Sequence, residues 1–250
     1  MTAQTLHPCR GVPPCDDGGV HAFRAFAATL VCALVLGAAP AHATGDDWVV
    51  TAQKRLNALG CQAGPTDGDL GQWTRSAVVR FQSREGRAQS GRLDRRTRSA
   101  LYAEDARRCD VRPVPAGSGR GRRIVISQTQ NWVWLVGPHG GTVAQGGMVD
   151  HPGELDRGSY GVGSYCGRSA RIRLNQSTSG SVWLDNFVRF APCGIGFHRI
   201  PRYQSNGQQI HADWILGTDM AASHGCIRLS RELSQRVWDF TARRTPVRVV

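Results

Sequence analysis

Residues 68–78 and 91–101 carry the same pattern twice, Gly-x-Leu-x-x-x-Thr-Arg-Ser-Ala-aliphatic. The first copy runs Gly68-Asp69-Leu70-Gly71-Gln72-Trp73-Thr74-Arg75-Ser76-Ala77-Val78, and the second runs from Gly91 to Leu101. In each copy the leucine ends a turn, and Gly71 or Asp94 stands where a helix needs its N-cap. Thr74, Ala77, Val78 and Phe81 then share one helical face, as do Thr97, Ala100 and Leu101. Upstream, Val49, Ala52, Leu56 and Leu59 recur at helical spacing, and Gly60 suits a left-handed stop. Three short amphipathic helices bury their apolar faces against one another, which predicts a three-helix bundle within residues 48–105. Cys61 and Cys109 could staple so small a unit.

The pattern changes after the bundle. Residues 106–122 hold Arg107-Arg108, a Pro113-Val114-Pro115 step and the glycines of Gly117-Ser118-Gly119-Arg120-Gly121. This reads as a flexible basic linker that does not pack. From residue 123 to 250 the runs are short, apolar and separated by turn residues: Ile124–Ile126, Trp132–Val136, Gly147–Val149, Tyr160–Val162, Val182–Leu184 and Phe187–Phe190. One helix is expected late, with Ser230 as cap, Glu232 in its first turn and Leu233, Val237 and Phe240 on its buried face. A last strand spans 246–250. The expected fold class is multi-domain α and β, with the helical bundle followed by a β-rich domain containing one late helix.

The chain has 250 residues and a formal net charge of +12, nearly all of it arginine because Lys54 is the only lysine. Such a surface favours polyanions: nucleic acid, anionic lipid or an acidic cell wall. The N-terminus separates these. Arg24 precedes an uncharged apolar run at 25–39, and Ala41-His42-Ala43 gives a small-x-small cleavage pattern. Residues 1–43 therefore read as a signal peptide with an N-terminal extension; the alternative is an uncleaved anchor, for which the run is short. Export argues against a nucleic-acid partner and for an anionic cell-wall polymer. Five of the eight cysteines follow the signal: Cys61, Cys109, Cys166, Cys193 and Cys226. An odd number in an oxidising compartment leaves one thiol over. Pairing within halves, Cys61 with Cys109 and Cys166 with Cys193, leaves Cys226 free, although spacing alone does not fix the connectivity.

Cys226 lies in Ser223-His224-Gly225-Cys226-Ile227-Arg228-Leu229. Acyl transfer by a thiol needs a nucleophile, a base and N–H groups for an oxyanion. Gly225 permits a sharp turn that aims neighbouring amides at one point. Three histidines compete as base or orienting group: His198, His211 and His224. Zinc held by His224 and Cys226 with His198, His211 or Asp213 is the rival chemistry. No Cys-x-x-Cys or His-Glu-x-x-His element supports it, so no metal and no cofactor is expected.

The turn resembles the Ser-His-Gly-Cys-x-Arg signature of the L,D-transpeptidases (YkuD family), and the resemblance extends over residues 123–250. The order of Leu-Gly, Asp-Gly-x-Leu-Gly, Thr-x-x-Ala-Val and Phe-Gln over 48–103 resembles the peptidoglycan-binding domain 1 family. These resemblances imply a secreted L,D-transpeptidase that cross-links peptidoglycan through a Cys226 thioester. They imply peptidoglycan stem peptides and glycan as partners, with Trp73 either an exposed platform or a core residue. A monomer is expected. The resemblance further implies His198, in Gly196-Phe197-His198-Arg199-Ile200-Pro201, as the base, oriented by the Arg199 carbonyl. His211 is its rival, since some members place the base closer to the signature. His224 orients. The amides of His224, Gly225 and Cys226 would hold the oxyanion, and Ser223 would brace the turn. Arg228, Arg199 and His211 are the expected substrate contacts, and Arg228 could instead pair with Asp239. Residues 202–220 would form a lid. Asp156-Arg157-Gly158-Ser159-Tyr160 departs from the family's Thr-Pro-x-Gly. An L,D-carboxypeptidase on the same scaffold and a non-catalytic wall-binding protein are the alternatives. The enzymatic readings need Cys226 unpaired and reachable.

Overall fold

A computed structural model of the chain describes residues 47–242 and 244–250; the expected signal peptide lies outside them. Helices α1 (Asp47–Ala58), α2 (Gln72–Arg84) and α3 (Arg95–Leu101) form the N-terminal unit. Ala52, Leu56, Ala77, Val78, Phe81 and Leu101 make its core. Gly60 takes a φ of +72° and ends α1 with Cys61 N–H donating back to Leu56 O at 2.8 Å, the expected left-handed stop.

The repeat has a structural reason. In each copy a glutamine from the preceding helix holds both the glycine and the threonine. Gln53 accepts from Gly68 N–H and donates to Thr74 Oγ1, both at 2.9 Å. Gln82 accepts from Gly91 N–H at 2.9 Å and donates to Thr97 Oγ1 at 3.0 Å. Both glycines have positive φ, +80° and +66°, a conformation that disfavours any side chain. The side chain of Asp94 caps α3 by accepting from Thr97 N–H at 2.7 Å, whereas Gly71 caps α2 without a side-chain bond. Cys61 and Cys109 are joined by a disulfide. Trp73 is 48% exposed, which removes it from the core.

The second unit contains two sheets. One runs β3-β2-β1-β10-β4, built from Thr142–Gly147, Trp132–Val136, Arg123–Ser127, Pro246–Val249 and Gly158–Gly161. The other runs β5-β6-β7-β9, from Arg171–Gln176, Val182–Arg189, Gly196–Arg199 and Ile227–Leu229, with β8 (Arg202–Tyr203) also paired to β6. Ile124, Ile126, Leu135 and Val247 of the first sheet meet Val188, Phe197 and Leu229 of the second in one core. Helix α4 (Arg231–Phe240) adds Leu233, Val237 and Phe240 to it, and Ser230 Oγ caps the helix by accepting from Leu233 N–H at 3.1 Å.

Three expectations change. The runs at 182–184 and 187–190 are joined in one strand, β6, which ends at Arg189; Asn186 carries a φ of +56° inside it, and asparagine tolerates that region better than most residues. Residues 147–149 do not form a strand: β3 ends at Gly147, and Val149 makes only an isolated bridge to Arg228. The linker is not a loose spacer. Arg112 is 1% exposed; its guanidinium lies 4.1 Å over the Trp132 ring and its carbonyl accepts from Trp134 Nε1 at 2.9 Å. The outer face of the first sheet carries Val125, Trp132, Trp134 and Val136, and Val114 of the linker packs against them. That apolar face needs a cover, and the proline-rich segment supplies it.

Candidate active site

Strands β7 and β9 run parallel with Phe197 opposite Ile227 and His198 opposite Arg228. Side chains alternate along a strand, so Phe197 and Ile227 enter the core while His198 and the Cys226–Arg228 face turn the other way. His198 and Cys226 are each 1% exposed. The Phe187 ring stacks on the His198 imidazole at 6.1 Å and 15°. The same ring joins Val182 and Leu184 in the apolar cluster holding Cys226. Candidate base and candidate nucleophile thus share one wall. Gly196 makes this approach feasible: a Cβ there would meet Phe187 Cζ and Val188 O at 2.8 Å.

His198 Nδ1 lies 2.5 Å from Arg199 O. A carbonyl only accepts, so Nδ1 carries a proton in this contact. The Arg199 carbonyl is the group that the sequence resemblance placed beside this ring. Asp185 of β6, which the sequence reading missed, sits nearby. It takes a bidentate pair from Arg202 at 2.7 and 2.8 Å, and Arg199 Nη1 stands 3.8 Å away. Burial opposes the Asp185 charge, but the Arg202 bonds and charge, with Arg199 and His198, outweigh it and hold the carboxyl below its ordinary range. An acid at the centre of a mostly apolar strand was the available signal.

The signature turn is buried apart from His224, which is exposed. Ser223 N–H donates to Asp150 O at 3.0 Å, and Ser223 Oγ accepts from Gly225 N–H at 3.0 Å. Ser223 therefore braces the turn, and the Gly225 amide expected to face an oxyanion is engaged by that hydroxyl. Gly225 has a φ of +108°, and a Cβ there would come within 3.3 Å of Glu154. Arg228 is 6% exposed and donates from Nη1 to Ala222 O at 3.4 Å; Asp239 takes its bonds from Gln235. His211 is half-buried in the loop after β8, with Nδ1 3.1 Å from Ala212 O. Asp150 was also missed by the sequence reading. It is 4% exposed, and burial pushes its carboxyl up from 3.8 to about 6, against the opposing bond from Gln128 and charge of His151.

The cysteine assignment is overturned. Cys226 is disulfide-bonded, whereas Cys166, expected to pair with Cys193, is a free and exposed cysteine. Counting cysteines by halves ignored reach, which decides pairing. Cys166 sits in a tight turn with a φ of +54°, while the 3-10 turn Pro192–Gly194 runs against the Cys226 sulfur, with Gly194 O at 3.7 Å. A groove of about 1480 Å³ lies beside the site, lined by Asp185, Arg199 and Asp213 on one side and by Gln62 and Arg80 of the helical unit on the other. Among the described residues, no group of three or more His, Cys, Asp or Glu is placed to hold a metal ion.

Residues 115–249 match the model of the YkuD family, the L,D-transpeptidase catalytic domain. The chain belongs to this family. Residues 45–101 match PG_binding_1, a peptidoglycan binding domain. Together the two domains imply peptidoglycan as the substrate and an extracytoplasmic or cell-wall location. Among the described residues no helix is long and apolar enough to cross a membrane. An L,D-transpeptidase from Xylanimonas cellulosilytica is 23% identical over 81% of this chain and 93% of its own, with a TM-score of 0.47. One from Stackebrandtia nassauensis is 17% identical over 82% and 91%, with a TM-score of 0.41. One from Mycobacterium tuberculosis H37Rv is 23% identical over 53% and 58%, with a TM-score of 0.39. The family assignment rests on the family models alone. No curated protein matches the chain.

Proposed function

We propose that the chain is an exported, cysteine-dependent L,D-transpeptidase whose working form has Cys226 reduced. The observation that carries this reading is the His198 ring, held by Arg199 O with its proton on Nδ1 and sharing the Phe187 wall with Cys226. A thiol of pKa about 8.5 needs such a base near neutral pH. Nε2 takes the Cys226 proton, and the sulfur attacks the carbonyl of the third residue of a donor tetrapeptide. The terminal D-residue leaves as an amine, carrying the proton back from His198. An acceptor amine then attacks the thioester and frees the thiol. The amides of His224, Gly225 and Cys226 stabilise the oxyanion once the Ser223 hydroxyl turns from Gly225. Arg199 and Arg228 are assigned to the stem-peptide carboxylate, with His211 on the loop above. Peptidoglycan glycan and anionic wall polymer are the partners of the helical unit and its arginines.

A second reading has its own support. Cys226 is disulfide-bonded and 1% exposed, as a non-catalytic wall-binding protein would allow. Muropeptide analysis separates the readings. Reduced wild type and Cys226→Ala are incubated with disaccharide-tetrapeptide and the products resolved by mass. New 3-3 dimers that vanish in the variant support transfer, and shortened stems alone indicate an L,D-carboxypeptidase. No product from the reduced protein, with binding to sacculi intact, leaves the wall-binding reading.

A further inference from the structure

Arg80 belongs to α2 of the helical unit, yet part of its guanidinium bonds across to the catalytic domain. Nη1 donates to Trp214 O at 2.6 Å and to Leu216 O at 3.1 Å. Nε donates to Cys61 O at 2.8 Å, and Nη2 to Gln62 O at 3.0 Å and Ser76 Oγ at 3.2 Å. The residue is 4% exposed. Burial lowers its pKa to about 10, so it stays charged at neutral pH. A buried cation is costly unless its donors are met. Two of the carbonyls that meet them belong to the 3-10 turn Asp213–Ile215 and its cap Leu216. That turn therefore cannot lift away without stranding a buried charge.

The turn is clamped from the other side as well. Gly217 has a φ of +79°, and its N–H donates to Met148 O at 3.0 Å. A Cβ at Gly147 would lie 2.6 Å from Gly217 N, and one at Gly217 would lie 3.3 Å from Arg80 Cδ.

From this turn a chain of hydrogen bonds reaches the imidazole. Asp213 Oδ1 accepts from Gln209 Nε2 at 2.9 Å. Gln209 Oε1 accepts from Arg199 Nε and Nη2 at 3.3 and 3.0 Å. Arg199 O holds His198 Nδ1 at 2.5 Å. Beneath the turn, Leu216 packs with Val149 and Ile200. Val149 pairs with Arg228, two residues past Cys226, and Ile200 N–H donates to Leu229 O at 2.8 Å. Both strands that carry the reacting pair are thus touched by the loop that Arg80 anchors.

We infer that Arg80 and Gln209 are positioning residues, through which the helical unit fixes the ring of His198. The helical unit is then part of the active site and more than a tether to the wall. The inference rests on the assignment of Cys226 and His198 as the reacting pair.

The test uses the full-length reduced protein and compares wild type with Arg80→Met, Arg80→Lys, Gln209→Ala and the Arg80→Met/Gln209→Ala double variant. Ser83→Ala is the control. It removes an interdomain bond to Gln130 O at 3.3 Å, away from the 213–217 turn. Three quantities are read: kcat and KM on soluble disaccharide-tetrapeptide, the pH profile of Cys226 alkylation by iodoacetamide, and amide exchange of residues 213–218. Arg80→Met is expected to lower kcat about tenfold to a hundredfold, as misplacement of a reacting group does, with KM little changed. It also shifts the alkylation profile and speeds exchange of the turn, and Arg80→Lys recovers part of each. Gln209→Ala lowers kcat similarly, and the double variant is no worse than the worse single, since both cut one path. Ser83→Ala behaves as wild type. Unchanged exchange in Arg80→Met, or lost protection with kcat and alkylation unchanged, overturns the inference. If Arg80→Met does not fold, Gln209→Ala and Arg80→Lys decide on the same readouts. If the reduced wild type transfers nothing, the transpeptidase reading fails. The alkylation profile then decides alone, and a Gln209→Ala profile identical to wild type overturns the link.

Discussion

Asp150 carries a pH dependence that one substitution removes. The residue is 4% exposed, and its Oδ2 is buried without a hydrogen-bond partner. Burial raises its pKa from 3.8 to about 6. The folded value lies above the unfolded one, so the native state holds this proton more tightly. Well below pH 4 the group is protonated in both states. Between there and about pH 6 the unfolded chain ionises first, and stability falls as pH rises. Well above pH 6 both states are ionised and the full cost remains, about 3 kcal/mol for a shift of this size. Asp150→Asn abolishes the titration. The variant's melting temperature should match or fall slightly below wild type at pH 4 and exceed it at pH 7.5. At this chain length about 3 kcal/mol corresponds to roughly 6–12 °C. Scanning calorimetry of both proteins at the two pH values measures the difference. A gap between them that is the same at pH 4 and pH 7.5 would refute the reasoning, because it would mean that Asp150 does not titrate in this window. The residue also borders the candidate site, where its backbone carbonyl accepts from Ser223 N–H at 3.0 Å.

Two further outcomes are expected. Gly196→Ala drives a methyl to 2.8 Å from Phe187 Cζ and the Val188 carbonyl; denaturant unfolding should show a loss of about 1–3 kcal/mol, and transfer activity should fall with it because the displaced ring backs His198. Replacing Cys61 and Cys109 together by alanine removes a cross-link spanning 48 residues; loop entropy sets the loss at up to about 4 kcal/mol, and a melting temperature unchanged from wild type would show that packing alone holds the bundle.

Where local rules govern, the sequence was readable. The Asp94 and Ser230 caps, the Gly60 stop and the apolar face of α4 each depend on residues within one or two turns. Strand β5 was missed although Arg171-Ile172-Arg173-Leu174 alternates polar and apolar residues with the period of a strand; the run is only four residues long and the burial along the strand does not follow the alternation. The linker was misread because its prolines, glycines and charges are local signals of a spacer. Its packing is set by Trp132 and Trp134 on a sheet that the linker sequence does not reveal.

The site divides along the same line. A glycine-flanked cysteine near histidines announces acyl-transfer chemistry because the chemistry itself demands those groups. That His198 lies opposite Arg228, two residues past Cys226, follows from the parallel pairing of β7 with β9, which joins segments separated by a long loop. Disulfide connectivity lies furthest from sequence, since it depends on which sulfurs the fold brings within reach, and here the fold closes the candidate nucleophile. Gln209 and Arg80 gave no sequence signal at all. A lone glutamine in a polar loop and one arginine among many become informative only when their partners are seen: a guanidinium satisfied partly by backbone carbonyls of another domain, and an amide bridging Asp213 to Arg199. Such bonds fix the relative position of two units that each could fold by local rules. The residues that couple binding to chemistry are therefore the ones that local reading cannot find.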